Sequence, residues 1–109
     1  MHEHIIAKEI MQQAREKLKG KEPKKIVLEL GEIYELTERE LRDALKEEEL
    51  NWKIEIEKKD SLVECSCGYK GKAEIAERGH GFVLIKCPEC NRMNPKILEG
   101  RNLLLKKVE

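Results

Sequence analysis

From Glu3 to Lys19 apolar residues recur every three or four positions. Ile6, Ile10, Met11, Ala14 and Leu18 fall on one stripe, which predicts an amphipathic helix facing a core. Gly20 supplies a stop, and Pro23 prevents continuation. The period then changes. Ile26, Leu28 and Leu30 alternate with Val27, Glu29 and Gly31, as in a half-buried strand, and Gly31 marks a turn or a close backbone approach. Thr37-Glu38-Arg39-Glu40 matches a capping box, and Leu41, Ala44 and Leu45 form the buried side of a second helix ending near Leu50-Asn51. Trp52, Ile54 and Ile56 alternate with Lys53, Glu55 and Glu57 as a second strand. Asn102 to Glu109, with Leu103, Leu105 and Val108, forms a third. Strand, helix and strand in succession imply a right-handed crossover. The fold expected is α+β: two helices packed on a three-stranded sheet.

Between the second and third strands the pattern is interrupted by four cysteines. Cys65-Ser66-Cys67 is followed, after residues 68–86, by Cys87-Pro88-Glu89-Cys90. Two close pairs let two loops each present two thiolates to one tetrahedral ion, with Zn–S bonds of about 2.3 Å. Gly68 and Gly71 relax the backbone where the first loop turns, and Phe82-Val83-Leu84-Ile85 forms a strand leading into the second. A region this small is expected to lack a core of its own and to depend on a structural metal. The reading is therefore an inserted zinc-ribbon-like domain at residues 61–100, with residues 1–60 and 101–109 forming the α+β domain. A redox dithiol or disulfide pair, or iron in a rubredoxin-like site, are the alternatives. His80, between Gly79 and Gly81, is either a substitute ligand or a loop residue.

Charge narrows the function. Charged residues make up 40% of the 109, with 22 basic balancing 22 acidic. That balance argues against a nucleic-acid binder, which carries a basic excess. No apolar run is long enough to span a bilayer and no signal-peptide pattern is present, so a cytoplasmic, reducing compartment is expected. There, four cysteines point to metal ligation over disulfides. No glycine-rich phosphate loop and no Ser/His/Asp grouping appears, so no enzyme activity is expected.

The chain starts Met1-His2-Glu3-His4. The Met1 amine, the main-chain nitrogen of His2 and a ring nitrogen of His2 can close adjacent chelate rings around one metal. Such in-plane nitrogen donors favour Ni(II) or Cu(II) over Zn(II). Glu3 adds a carboxylate and His4 a second imidazole. The alternative is that these terminal residues are incidental.

Met1-His2-Glu3, the amphipathic helix, Ile26-Val27-Leu28-Glu29-Leu30-Gly31-Glu32, the paired-cysteine insert and the short final strand together resemble the HypA/HybF hydrogenase nickel-incorporation proteins, over nearly the whole chain. The resemblance implies a nickel metallochaperone. Nickel would sit at the extreme N-terminus on His2 and neighbouring main-chain nitrogens, with acidic help, and a structural zinc in the cysteine domain. It also implies a nickel-handling GTPase as partner and the [NiFe]-hydrogenase large subunit as client. An acidic residue at the start of the second helix, here Glu38, is a further candidate nickel ligand. The chain departs from the family pattern in three places. Glu64 sits where the first cysteine of a Cys-x-x-Cys pair would fall, His4 replaces an apolar or aromatic residue, and the stretch before Trp52 is shorter. The competing readings are a zinc-ribbon protein-interaction module without nickel delivery, and a small thiol enzyme using the cysteine pairs. Amphipathic helices and open strand edges allow either a monomer or a homodimer.

Overall fold

The structure is a computed structural model that describes residues 2–48, 50–79 and 81–109, His2 by its place in a helix alone. Among the described residues two helices, α1 (His2–Lys17) and α2 (Glu38–Glu47), accompany eight strands. These are β1 (Lys25–Gly31), β2 (Lys53–Lys59), β3 (Leu62–Glu64), β4 (Lys70–Gly71), β5 (Glu74–Gly79), β6 (Phe82–Lys86), β7 (Lys96–Glu99) and β8 (Leu103–Val108). The chain divides into two compact units, Met1–Glu29 with Leu36–Glu57 and Leu104–Glu109, and Leu30–Glu35 with Lys58–Leu103.

The first unit is the expected α+β arrangement, two helices with a sheet of order β2-β1-β8. Lys53 N–H donates to Lys24 O at one end of the β1–β2 pair and Glu32 N–H to Lys59 O at the other, so these strands run parallel. Parallel neighbours need a crossover, and α2 supplies it. Exchange of hydrogen bonds between Lys25 and Glu109, with Gly31 N–H donating to Asn102 O, makes β8 antiparallel to β1. Along α1, Ala7, Ile10, Met11 and Ala14 are buried, and the helix packs against α2.

On α2 the buried residues are Leu41, Ala44 and Leu45. Its capping box is complete: Glu40 N–H donates to Thr37 Oγ1 at 3.1 Å, and Thr37 N–H donates to Glu40 Oε1 at 2.9 Å. Arg42 ties the helix to β2 by donating to Ile54 O at 3.2 Å. Trp52, just before β2, is buried. Its indole N–H donates to Glu22 at 3.1 Å, and the Arg15 guanidinium lies 5.4 Å from the ring centroid, close enough for a cation–π contact.

Two local expectations need correction. Val27 is buried along with Ile26 and Leu28, so β1 is not half-buried. It is the middle strand of its sheet, flanked by β2 and β8. α2 ends at Glu47, short of Leu50-Asn51, where Glu48 N–H caps the carbonyls of Leu45 and Lys46.

The second unit holds a sheet of order β4-β3-β7 and a separate β5–β6 hairpin, all pairs antiparallel. Contrary to expectation it has a core of its own. Ile33, Val63, Ala73 and Ile85 are buried together, with Tyr69, Val83 and Ile97 packed against them. Ile33 comes from the segment after β1, which was not counted with the insert. Glu32 fastens that segment, its carboxylate accepting Ser61 N–H at 2.6 Å and its carbonyl accepting Arg78 Nη2 at 2.6 Å. Gly31 is the expected close approach, since a Cβ there would lie 2.2 Å from Gly100 O. Gly71 instead lies in β4, where the Tyr69 side chain occupies the space a Cβ would fill, so it does not serve to turn the loop.

These roles set distinct stability costs. Leu45→Ala removes a fully buried side chain and should lower unfolding free energy by about 2–5 kcal/mol, whereas Thr37→Ala, losing one cap, should lower it by about 1 kcal/mol. Urea unfolding of the two variants checks both the sizes and their order.

Candidate metal centre

The two cysteine loops are built alike. After β3, Cys65 N–H donates to Tyr69 O at 2.9 Å and Gly68 N–H donates to Cys65 O at 3.0 Å. Gly68 closes this turn at φ +100°, a conformation other residues rarely adopt. After β6, Cys87 N–H donates to Arg92 O and Asn91 N–H to Cys87 O, both at 2.9 Å. Asn91 takes φ 63°, which asparagine tolerates better than most residues. In each loop the first cysteine is buried and the second exposed. The side chain of Arg92 donates to Ser66 Oγ and joins the two loops.

All four sulfurs lie within 4.8 Å of one another. Cys65 Sγ is 3.6 Å from Cys90 Sγ, and Cys67 Sγ is 3.7 Å from Cys87 Sγ. The buried sulfur of each loop thus meets the exposed sulfur of the other. These separations are far beyond a disulfide bond of about 2.05 Å. They fit four thiolates on one tetrahedral ion, for which bonds of about 2.3 Å set sulfurs about 3.8 Å apart. The donor set suits zinc, and the Cys-x-Cys spacing does not prevent convergence. Glu64 is exposed and ends β3 opposite Lys70 and Lys96.

Proton affinities follow from this crowding. A hydrogen bond from Cys67 N–H to its sulfur, followed by the neighbouring thiols, pushes Cys65 down to about 7 against burial. Cys67 accepts a bond from Tyr69 N–H that favours its thiolate, yet burial and the other three sulfurs push it up to about 12. Cys65 forms its thiolate readily, whereas ionisation of Cys67 is opposed. A divalent cation removes that opposition.

The N-terminal candidates are placed less completely. Met1 and the side chain of His2 lie outside the described residues, as does His80. The backbone of His2 opens α1. Glu3 is in the first turn and half-buried. His4 Nδ1 lies 3.2 Å from Glu47 Oε2, at the end of α2. Glu38 is engaged by Arg42, whose Nε donates to Glu38 Oε2 at 3.0 Å. Glu47 was not among the sequence candidates. No local pattern marks it, because its partner is 43 positions away in the sequence.

A family model described as "Hydrogenase/urease nickel incorporation, metallochaperone, hypA" matches residues 1–109. The chain belongs to the HypA family. A curated relative, the hydrogenase maturation factor HypA of Methanothermobacter thermautotrophicus, is 29% identical over 117 residues, covering all of this chain and 96% of the relative. Among solved structures, the solution structure of the Ni metallochaperone HypA from Helicobacter pylori matches with TM-score 0.59 and 19% identity, over 98% of this chain and 95% of that one. A second HypA solution structure matches with TM-score 0.58 and 19% identity, over all of this chain and 95% of the other. At such identity the two structures speak for the HypA fold, and the family match for nickel incorporation.

The thiol chemistry predicts a pH response. In metal-stripped protein, thiolate absorbance should grow as pH rises through about 7, and Cys65→Ser should remove that step. Because Cys65 is held below its ordinary value near 9, its contribution to folding is full above that value and is lost as pH falls through about 7. An ultraviolet titration and unfolding curves across this window check both statements.

Proposed function

We propose that this protein is a cytoplasmic carrier, not a catalyst, which loads Ni(II) at its N-terminus and gives it to the large subunit of a [NiFe]-hydrogenase with a nickel-handling GTPase as partner. The ligands are the Met1 amine, the main-chain nitrogen of His2 and the His2 ring, with Glu3 offsetting charge. The observation that supports this reading is that α1 starts at His2. The first N–H groups of a helix have no intrahelical acceptor, so deprotonating one to bind a metal breaks no helical hydrogen bond. The bound cation meets the positive end of the helix dipole, so affinity rests on the ligands, with Glu3 helping to offset charge. A site at a chain end is open to a partner and suited to release.

Zinc is proposed on Cys65, Cys67, Cys87 and Cys90, where it supplies a cross-link between two loops and neutralises their thiolates. These residues orient the knuckles and exclude other chemistry, since thiolates held by zinc are poor nucleophiles. Among the described residues no helix is long and apolar enough to cross a membrane.

His2→Ala should abolish stoichiometric Ni(II) binding while zinc content and helical signal persist; nickel titration followed by absorption spectroscopy, with metal analysis, checks this. Full nickel affinity in that variant would overturn the terminal assignment. A residue added before Met1 converts the amine to an amide and should weaken binding and change the spectrum. Absence of any defined nickel stoichiometry in the parent protein would favour a zinc-ribbon interaction module. Separately, Cys87→Ser should lose zinc and destabilise the second unit, read as zinc content and thermal unfolding.

A further inference from the structure

We infer, on the zinc reading above, that the four cysteines are also a site of oxidation, which a peroxide converts into two disulfides across the loops, Cys65–Cys90 and Cys67–Cys87, with loss of the metal. Four cysteines can pair in three ways. One combines Cys65–Cys67 with Cys87–Cys90. Its first disulfide would close a ring over a single intervening residue, Ser66, and would distort the turn in which Gly68 N–H donates to Cys65 O at 3.0 Å. Both other pairings cross between the loops. Of these, the structure already brings Cys65 Sγ to 3.6 Å from Cys90 Sγ and Cys67 Sγ to 3.7 Å from Cys87 Sγ. Closing either gap to a disulfide of about 2.05 Å takes a movement of roughly 1.6 Å.

Burial assigns the roles within each pair. Each joins an exposed cysteine, Cys90 or Cys67, to a buried one, Cys65 at 5% or Cys87 at 0% exposure. A peroxide in solution reaches the exposed thiolate first. That sulfur attacks one peroxide oxygen, the O–O bond breaks, and the departing hydroxide takes a proton to become water. The buried sulfur of the pair then attacks the sulfenic acid so formed and expels a second hydroxide, again protonated to water. Over both pairs, four thiolates, two hydrogen peroxide molecules and four protons give two disulfides and four waters. A disulfide has no thiolate left to hold zinc, so the metal leaves. Binding to zinc slows the attack without forbidding it, because a bound thiolate keeps lone pairs outside the metal bond. The unit has its own core around Ile33, Val63, Ala73 and Ile85, so it stays folded through the exchange. Covalent links between residues 25 and 20 positions apart then join the two loops in place of the metal.

The test is addition of hydrogen peroxide to the zinc-loaded full chain. Free thiols, released zinc and far-UV circular dichroism are followed together. Disulfides are mapped by mass spectrometry of unreduced fragments, with backbone cleavage between Cys65 and Cys67. Two equivalents of peroxide should remove all four thiols, release one zinc and leave the circular dichroism of the folded chain in place. The product should be monomeric and carry Cys65–Cys90 and Cys67–Cys87, and a dithiol reductant should restore the thiols and zinc binding. Metal-stripped protein should reach the same product faster. Cys90→Ser should form Cys67–Cys87 alone and keep Cys65 as a free thiol. A Cys65–Cys67 or Cys87–Cys90 disulfide in the parent, links between chains, sulfinic acids in place of disulfides, or thiols that persist in excess peroxide would each overturn the inference. Failure of the zinc reading is seen separately and earlier, as a parent chain that takes up no zinc before any peroxide is added.

Discussion

Four sulfurs within 4.8 Å of one another impose a constraint that shapes the second unit. Four thiolates this close would repel one another, and a cation among them would offset that repulsion. Their positions depend in turn on two tight loops, one closed by Gly68 in the left-handed region and the other by Asn91. Both loops hang from short strands, β3 and β6, whose inward residues Val63 and Ile85 share one small core. The metal centre and the core are therefore two fastenings of the same strands. A zinc ion would not need to organise this unit from nothing; it would add a cross-link to an arrangement already held by apolar burial and by the Glu32 and Arg78 hydrogen bonds.

The opposite design holds at the start of the chain. There the proposed metal ligands are few, lie at one helix end, and owe their availability to hydrogen bonds that a helix end cannot make. Such a site suits loading and release, as the crowded thiol cluster suits retention. On the proposed reading the two metals would be distinguished by donor type: planar nitrogen at one end, tetrahedral sulfur in the insert.

Much of this was legible in the chain because it is local. The period of Ile6, Ile10 and Ala14, the Thr37–Glu40 box and the alternation of Ile54 with Glu55 each involve residues a few positions apart. Short-range sterics and capping chemistry govern them directly. The cysteine pairs were legible for the same reason, since two residues apart in one loop already define a bite. Where the reading failed, distant neighbours decided. Val27 is buried because β1 became the central strand, and Gly71 faces the Tyr69 ring inside a strand. The insert gained its core from Ile33, a residue lying before α2.

By itself, then, the sequence determined the two helices, the three strands of the first sheet, the capped start of α2 and the four thiol donors. Periodicity and residue chemistry act over a few positions and need no knowledge of the rest. Tertiary structure alone decided which sulfur meets which, with Cys65 against Cys90 and Cys67 against Cys87. It also decided that Gly31 lies under Gly100, that Ile33 joins the cysteine unit, and that His4 finds Glu47. Each of these pairs residues tens of positions apart. Only the packing of helix on helix and strand on strand brings them within reach, so no pattern along the chain could announce them.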